Sequence, residues 1–378
     1  MKYSIIVPVY NRPDEVDELL ESLCEQKVKD FEVIIVEDGS ATPCKDVCEK
    51  YAGILQLHYY FKENSGPGQS RNYGAERAQG QWLIVLDSDV VLPEGYLQAV
   101  DEKTYPQPLP KGRGVVTSAD EPSAGKSIDS PPSQGGAGGW VCWGGPDAAH
   151  ESFTPVQKAI SYAMTSFFST GGIRGGKKQG ALDKFYPRSY NMGIRREVYL
   201  ELGGFSKMRF GEDIDFSYRI VEAGYKTALL SEAWVWHKRR TDLRKFFRQV
   251  YNSGIARINL TKRHPGTLKL VHLLPTVFTI GVIGLVLLSA VGRLLMYYVD
   301  NDEWRWLCLT PWLPILLYSG VILVDSTVKN KSLKVGLLSV PAAFVQLMGY
   351  GLGFIESWWK RCVMGKDEFQ AFEKNFYK

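Results

Sequence analysis

Trp82-Leu-Ile-Val-Leu-Asp-Ser-Asp89 sets five apolar residues directly before two carboxylates placed two positions apart. The apolar run is short and free of charge, the pattern of a strand buried on both faces. Upstream of it, Ile5-Ile-Val-Pro-Val9, Phe31-Glu-Val-Ile-Ile-Val36 and Ile54-Leu-Gln-Leu-His-Tyr-Tyr-Phe61 are further β-rich runs. Enough chain for a helix separates each from the next, and such alternation predicts a parallel sheet. Pro13 followed by Asp14 and Glu15 opens the first of these helices, with Leu19, Leu20 and Leu23 as its apolar face.

Downstream, residues 106–145 turn to Pro, Gly and Ser, including Ser130-Pro-Pro-Ser-Gln-Gly-Gly-Ala-Gly-Gly139. A stretch of that length is either a functional lid or a tolerated surface insertion. Residues 195–202 and 212–223 read as two more helices. Residues 241–262 read as a basic helix with Leu243, Phe246, Phe247, Val250, Tyr251, Ile255 and Ile258 at helical spacing. It suits a membrane interface or the surface of the preceding domain. Windows 270–292, 306–324 and 335–355 contain no Asp, Glu, Lys or Arg, and each is long enough to cross a bilayer.

Over 378 residues, 45 Lys+Arg against 41 Asp+Glu leave a net charge of +4, which gives no reason to expect nucleic-acid binding. A hydrophobic fraction of 45% excludes a disordered chain. The apolar run at the N-terminus is too short for a signal peptide, so the first two-thirds are expected in the cytoplasm. Arg239, Arg240, Arg244, Lys245, Arg248, Arg257, Lys262, Arg263 and Lys269 precede the first apolar window, and Lys329, Lys331 and Lys334 follow the second, as flanks that remain inside do. Three crossings would carry the tail outside, yet Lys360, Arg361, Lys366, Lys374 and Lys378 argue for inside; one run being re-entrant would reconcile them. Cysteines 24, 44, 48, 142, 308 and 362 form no metal-binding pattern. Cys44 and Cys48, one helical turn apart, are a redox pair or simply two thiols.

Ligands of open α/β sheets bind beyond the carboxyl ends of the strands. Three strand ends here carry polar clusters: Tyr10-Asn-Arg12, Glu37-Asp-Gly-Ser40 and Asp87-Ser-Asp89. Extended backbone puts Asp87 and Asp89 on one side, within reach of one hard cation. Asp-x-Asp also occurs at 213/215 and 300/302, so position at a buried strand end distinguishes the 87/89 pair. Strand-terminal capping is the alternative reading.

Ile6-Val-Pro-Val-Tyr-Asn11, Val36-Glu-Asp-Gly-Ser40, Asn64-x-Gly-x-Gly-x-Ser-Arg-Asn72, Asp87-Ser-Asp89, Gly203-Gly-Phe205 and Gly211-Glu-Asp-Ile-Asp215 follow one another along the chain. In order and spacing they resemble the landmarks of family 2 inverting glycosyltransferases, over about residues 1–240. Trp236-His-Lys-Arg-Arg240, the Arg/Gln-rich helix and His264-Pro265 are more loosely similar to membrane-anchored members such as succinoglycan-type exopolysaccharide glucosyltransferases.

The resemblance implies an α/β GT-A fold, a Rossmann-like nucleotide-diphospho-sugar transferase domain, followed by C-terminal transmembrane helices. It implies that Pro8, Tyr10, Glu37, Asp38, Arg71 and Asp87 hold the nucleotide, with Asp38 accepting an imide N–H such as uracil's. Asp89, Asp87 and His237 would ligate Mn²⁺ or Mg²⁺. Asp213 would be the general base, supported by Glu212, and Gly204, Phe205, Asp215 and Gln249 would lie at the acceptor. Processive synthases of the family carry Gln-x-x-Arg-Trp after the base. Here Gln249 is followed by Asn252 and Ser253 in place of Arg and Trp, which implies one sugar per acceptor.

The expected layout is a catalytic domain over 1–240, with a nucleotide-sugar half at 1–100 and an acceptor half at 150–240. An interface helix over 241–267, a membrane domain of about three apolar helices over 268–360 and a tail over 361–378 follow. The expected partners are a nucleotide-diphosphate sugar, a lipid-linked saccharide and membrane lipid, with no nucleic acid and an oligomer left open. The expected location is the bacterial inner membrane, multi-pass, with the catalytic domain in the cytoplasm. Competing readings are transfer to polyprenyl phosphate itself, a non-catalytic membrane scaffold, and a nucleotidyltransferase. The last needs a Gly-rich, Arg-containing loop after the first strand, where this chain has Pro8-Val-Tyr-Asn-Arg-Pro13.

Overall fold

The computed structural model describes residues 1–104, 139–148, 153–170, 185–299, 304–369 and 371. Two compact units are interleaved in sequence: Met1–Pro146, Gln179–Gly204 and Phe216–Val235 form the first, and Asp147–Lys178, Phe205–Asp215 and Trp236–Lys378 the second.

The described strands are β1 (Tyr3–Val9), β2 (Phe31–Asp38), β3 (Leu57–Lys62), β4 (Trp82–Leu86), β5 (Val90–Val91), β6 (Cys142–Gly144), β7 (Asp147–Ala148), β8 (Asn191–Arg195), β9 (Thr227–Leu229) and β10 (Val235–His237). Seven of them make the sheet of the first unit, in the order β3-β2-β1-β4-β8-β6-β9. The first four pair in parallel, as the alternation of strands and helices predicts. Beyond β4 the sheet is mixed, because β8 runs antiparallel to both β4 and β6.

All five residues of β4 are buried, and so are all eight of β2. Burying one aliphatic side chain of this kind is worth about 1.5–3 kcal/mol, which favours these runs as central strands. The helix Pro13–Cys24 turns Val16, Leu19, Leu20 and Leu23 onto the sheet. Parallel register sets Val9 opposite Glu37 and Glu37 opposite Phe61, so the residues following β1, β2 and β3 emerge along one edge.

The Pro/Gly/Ser stretch is shorter than its composition implies. Residues 105–138 lie outside the described residues, and with them the lid expectation. Trp140 to Trp143 are buried, and β6 joins the sheet between β8 and β9. Three residues after a Gly-rich lead-in are too few to show a period of two, which is why this strand escapes the sequence pattern.

In the second unit, Thr154 and Gln157 form a capping box that starts the helix Pro155–Thr165. Asp242 caps the helix Leu243–Arg263 by accepting from the Lys245 amide at 2.7 Å. Phe246 and Val250 of that helix pack with Ala159, Ile160, Ala163 and Met164, and with Val335 and Ala342 of the helix Leu333–Trp358. Three runs, Leu270–Tyr298, Arg305–Asn330 and Leu333–Val363, are helical, long and apolar enough to cross a membrane.

Gly193 in β8 faces the Trp143 indole so closely that a Cβ would overlap the ring. Gly193→Ala is expected to cost about 1–3 kcal/mol through overpacking. A lowered unfolding midpoint, followed by near-ultraviolet circular dichroism, checks it.

Candidate active site

The loop after β1 is shaped by Asn11, whose φ of 54° lies in the left-handed region that Asn tolerates. Its Oδ1 accepts the amides of Ala41 and Thr42 at 2.7 and 3.0 Å, and its own amide donates to Ser40 Oγ at 2.7 Å. The loops after β1 and β2 are thereby fastened together. Pro8 and Tyr10, both half-buried, stand on either side of the last residue of β1.

Glu37 is fully buried and faces inward. It accepts from the Ser40 hydroxyl, from the Cys44 amide at 2.8 Å and from the Tyr59 hydroxyl at 3.4 Å. Burial, followed by the Glu37 charge, raises the Tyr59 hydroxyl well above its ordinary pKa. Glu37 therefore builds the loop that carries Asp38.

Asp38 Oδ1 accepts from Lys62 Nζ and from the Ser65 amide at 2.9 Å, and Oδ2 accepts from the Gly66 amide at 2.9 Å. A carboxylate has about four acceptor positions, so Oδ2 retains capacity for one further N–H. Gly39 between them has φ +73°, and a Cβ there would sit 2.8 Å from the Asn64 amide nitrogen. No other residue closes this turn without strain.

At the end of β4, Asp87 Oδ1 accepts from Arg71 Nη2 at 2.7 Å, and Asp89 is paired with Arg12. The Asp89 side chain is 10% exposed, so its charge demands a counter-charge. Asp89 raises the pKa of the Arg12 guanidinium. Two carboxylates two residues apart offer the hard oxygen donors that Mg²⁺ or Mn²⁺ prefers.

Asp213, Glu212 and Asp215 occupy the first turn of the helix Glu212–Glu222, and all three are buried. Acidic groups suit a helix N-terminus, whose amides carry partial positive charge. Asp213 Oδ1 accepts from the Ile214 amide at 2.9 Å. Asp215 Oδ1 meets His264 Nε2 at 3.0 Å and Arg263 Nη1 at 3.9 Å. Gly211 precedes the turn with φ +84°, and its Cα faces Leu260 of the helix Leu243–Arg263. The second unit thus brings His264 to Asp215, in the turn that also carries Asp213.

The other expected residues fall as follows. His237 lies in the second unit, its Nδ1 3.6 Å from Asp147 Oδ2, which also accepts from Arg239 Nη2 at 2.6 Å. Burial pushes the Asp147 carboxyl up, but His237 and Arg239 overcome this and hold it well below the usual carboxylate range. Gly204 has φ +62° beside Tyr199 and Asn72, while Phe205 is buried. Gln249 is half-buried on the helix Leu243–Arg263, its carbonyl accepting from Ser253 Oγ at 3.0 Å.

Arg12, Lys62 and Asp147 had no assigned role in the sequence reading, and Arg263 stood there only among the cations before the first apolar window. Arg12 stood in the quoted Tyr10-Asn-Arg12 cluster and His264 beside Pro265, but nothing local marks Lys62 or Asp147. Their partners lie far along the chain.

The arrangement is that of a nucleotide-sugar-type α/β domain, with its polar groups at the carboxyl edge of a parallel sheet. Residues 4–103 match the glycosyl transferase family 2 model, and the chain carries a family 2 glycosyltransferase domain. An uncharacterized glycosyltransferase of Haemophilus influenzae is 43% identical over 93 residues, 23% of this chain and 29% of that one. The putative teichuronic acid biosynthesis glycosyltransferase TuaG of Bacillus subtilis is 39% identical over 88 residues, 23% of this chain and 35% of its own length. The poly(ribitol-phosphate) beta-N-acetylglucosaminyltransferase TarS of Staphylococcus aureus is 39% identical over 93 residues, 24% of this chain and 16% of TarS. The chain thus spans well under two-thirds of these relatives. The mannosyltransferase PcManGT of Pyrobaculum calidifontis, solved with GDP-Man and Mn²⁺, superposes with a TM-score of 0.52 at 13% identity, covering 95% of this chain and 88% of that one. That is a likeness of fold, the GT-A fold.

The buried Asp215–His264 bond holds the turn bearing Asp213. His264→Ala is expected to cost about 1–3 kcal/mol by leaving Asp215 short of a donor. His264→Gln, which keeps one N–H, should recover part of it, and thermal unfolding in detergent compares the two.

Proposed function

We propose that the chain is an inverting, metal-dependent glycosyltransferase. It moves one sugar from a nucleotide-diphosphate donor, with uridine favoured, to a saccharide carried on a membrane lipid. The observation that carries this reading is the carboxylate pair Asp87 and Asp89 at the end of β4, inside the family 2 domain.

Pro8, Tyr10 and Arg71 line the nucleotide in this reading, and Asp38 Oδ2 accepts an imide N–H, the group that favours uridine over cytidine. Asp87 and Asp89 supply oxygen donors for Mn²⁺ or Mg²⁺, and His237 of the second unit is the third ligand. The cation, when bound, neutralises charge gathering on the departing diphosphate. Asp213 removes the proton of the acceptor hydroxyl, whose oxygen attacks the anomeric carbon. The carbon–oxygen bond to the diphosphate breaks, and its electron pair leaves with the nucleoside diphosphate. In-line attack turns an α-linked donor into a β-linked product. Glu212 supports the base, and Gly204, Phe205, Asp215 and Gln249 form the acceptor side. Asn252 and Ser253, in place of Arg and Trp, support transfer of one sugar rather than a polymer. The three apolar helices support an acceptor held in lipid, with the catalytic groups at the cytoplasmic face of a bacterial inner membrane.

Calorimetry on the solubilised protein with UDP, GDP, dTDP and CDP is expected to show UDP binding that requires Mn²⁺ or Mg²⁺ and is lost with chelator. Asp89→Asn should weaken that binding, and unchanged affinity would remove Asp89 from the metal site. Asp213→Asn should keep nucleotide affinity while transfer falls by at least about 10²-fold, the low end of general-base contributions. Retained transfer in that variant would falsify the role given to Asp213.

A further inference from the structure

The three apolar helices are not alike in their surroundings. The best windows of Leu270–Tyr298 and Arg305–Asn330 are 6% and 11% buried, whereas that of Leu333–Val363 is 44% buried. A lipid-facing helix needs no protein cover, so the third helix is treated differently by its own fold.

Part of its cover is the helix Pro155–Thr165, and part is the basic helix Leu243–Arg263, running alongside in the same direction. Gly349 faces Val250 and Phe247, Gly353 faces the Tyr251 carbonyl, and Gly254 faces the Tyr350 carbonyl. At each contact a Cβ would collide, and at Gly254 and Gly353 the backbones themselves touch. Ser357 Oγ donates to Ile255 O at 3.3 Å, and Tyr251 donates to Glu356. The basic helix carries Arg244, Lys245, Arg248, Arg257, Lys262 and Arg263. One such cation at the centre of a bilayer costs about 2.5–3.5 kcal/mol even on the mildest scale, so a helix with six stays out of the hydrocarbon. The part of the third helix fastened to it, residues 349–357, stays out with it.

The segment after the third helix returns to the same place. Lys262 Nζ donates to Arg361 O at 2.5 Å, Arg263 pairs with Glu368 at 2.8 Å, and the Ala371 amide donates to Asn252 Oδ1 at 3.0 Å. The segments before the first helix and after the third therefore share one compartment, which an odd number of crossings forbids. The feet of the first two helices both rest on the third: Thr279 Oγ1 donates to Leu347 O at 3.4 Å, and Ser326 bonds Ser339 at 2.7 Å. Lys329, Lys331 and Lys334 follow the second apolar run, against Arg293 and Arg305 beside the connection between the first two, a bias that favours a hairpin with its tip outside.

We propose that only the helices within Leu270–Tyr298 and Arg305–Asn330 cross the membrane, as a hairpin, while Leu333–Val363 lies at its foot beside the basic helix. Residues 243–263 and 361–371 then face the same, cytoplasmic side, next to the headgroups. The proposal rests on the membrane reading above and fixes its number of crossings.

Cys362 is exposed and ends the third helix, so it reports the side directly, without substitution. A membrane-impermeant maleimide is applied to intact spheroplasts and to inverted vesicles holding the full chain, with labelled peptides read by mass spectrometry and Cys362→Ser as the specificity control. Asn301→Cys, between the first two apolar runs in sequence, reports the side of their connection. The expected result is labelling of Cys362 in inverted vesicles only and of Asn301→Cys in spheroplasts only. Labelling of both from outside means three crossings and overturns the proposal while keeping the membrane reading. Release of the protein by alkaline carbonate overturns both.

Discussion

Charge gathered at the carboxyl edge of the β3-β2-β1-β4 sheet is the constraint on which the first unit depends. Glu37, Asp38 and Asp89 are all buried there, and an unpaired buried carboxylate costs several kcal/mol. Each is answered from a different stretch of chain. Ser40 and the Cys44 amide serve Glu37, Lys62 with two amides serves Asp38, and Arg12 serves Asp89. Arg71 serves the less buried Asp87 beside them. Satisfying these acids forces the loops after β1, β2 and β3 into one arrangement.

The same rule organises the second unit. Asp215 is buried and is answered by His264 and Arg263 at the end of the basic helix. Arg263 reaches on to Glu368, so the turn that holds Asp213 is tied through two ion pairs to the chain beyond the third apolar helix. Glycines at 254 and 353 let the two helices approach at backbone distance, and Gly349 makes room for Val250 and Phe247. The third apolar helix and the turn that holds Asp213 are therefore parts of one packed body.

Much of the fold was legible because long apolar strands and helices announce themselves by period. The four parallel strands, the helix from Pro13, the helix from Glu212 and the three apolar runs lie where the sequence places them, within a few residues. β6 and β9 were not legible, since three residues each show no period and their pairing with β8 and with each other is made across long separations. The acids of the site were visible as motifs. Their cations were not, for Lys62 and Arg12 look like any surface charge until the carboxylates they serve are placed beside them.

By itself the sequence determined the kind of domain, the run of strands, the acidic motifs and the apolar stretches, because each is written in residues close together along the chain. Tertiary structure alone decided which cation answers which acid, where the sheet turns antiparallel, and which apolar helix is covered by protein rather than left bare for lipid. Those depend on contacts between residues as much as 163 positions apart, as with Tyr162 and Asp325. Their free energy exists only once the chain has closed the loops between them.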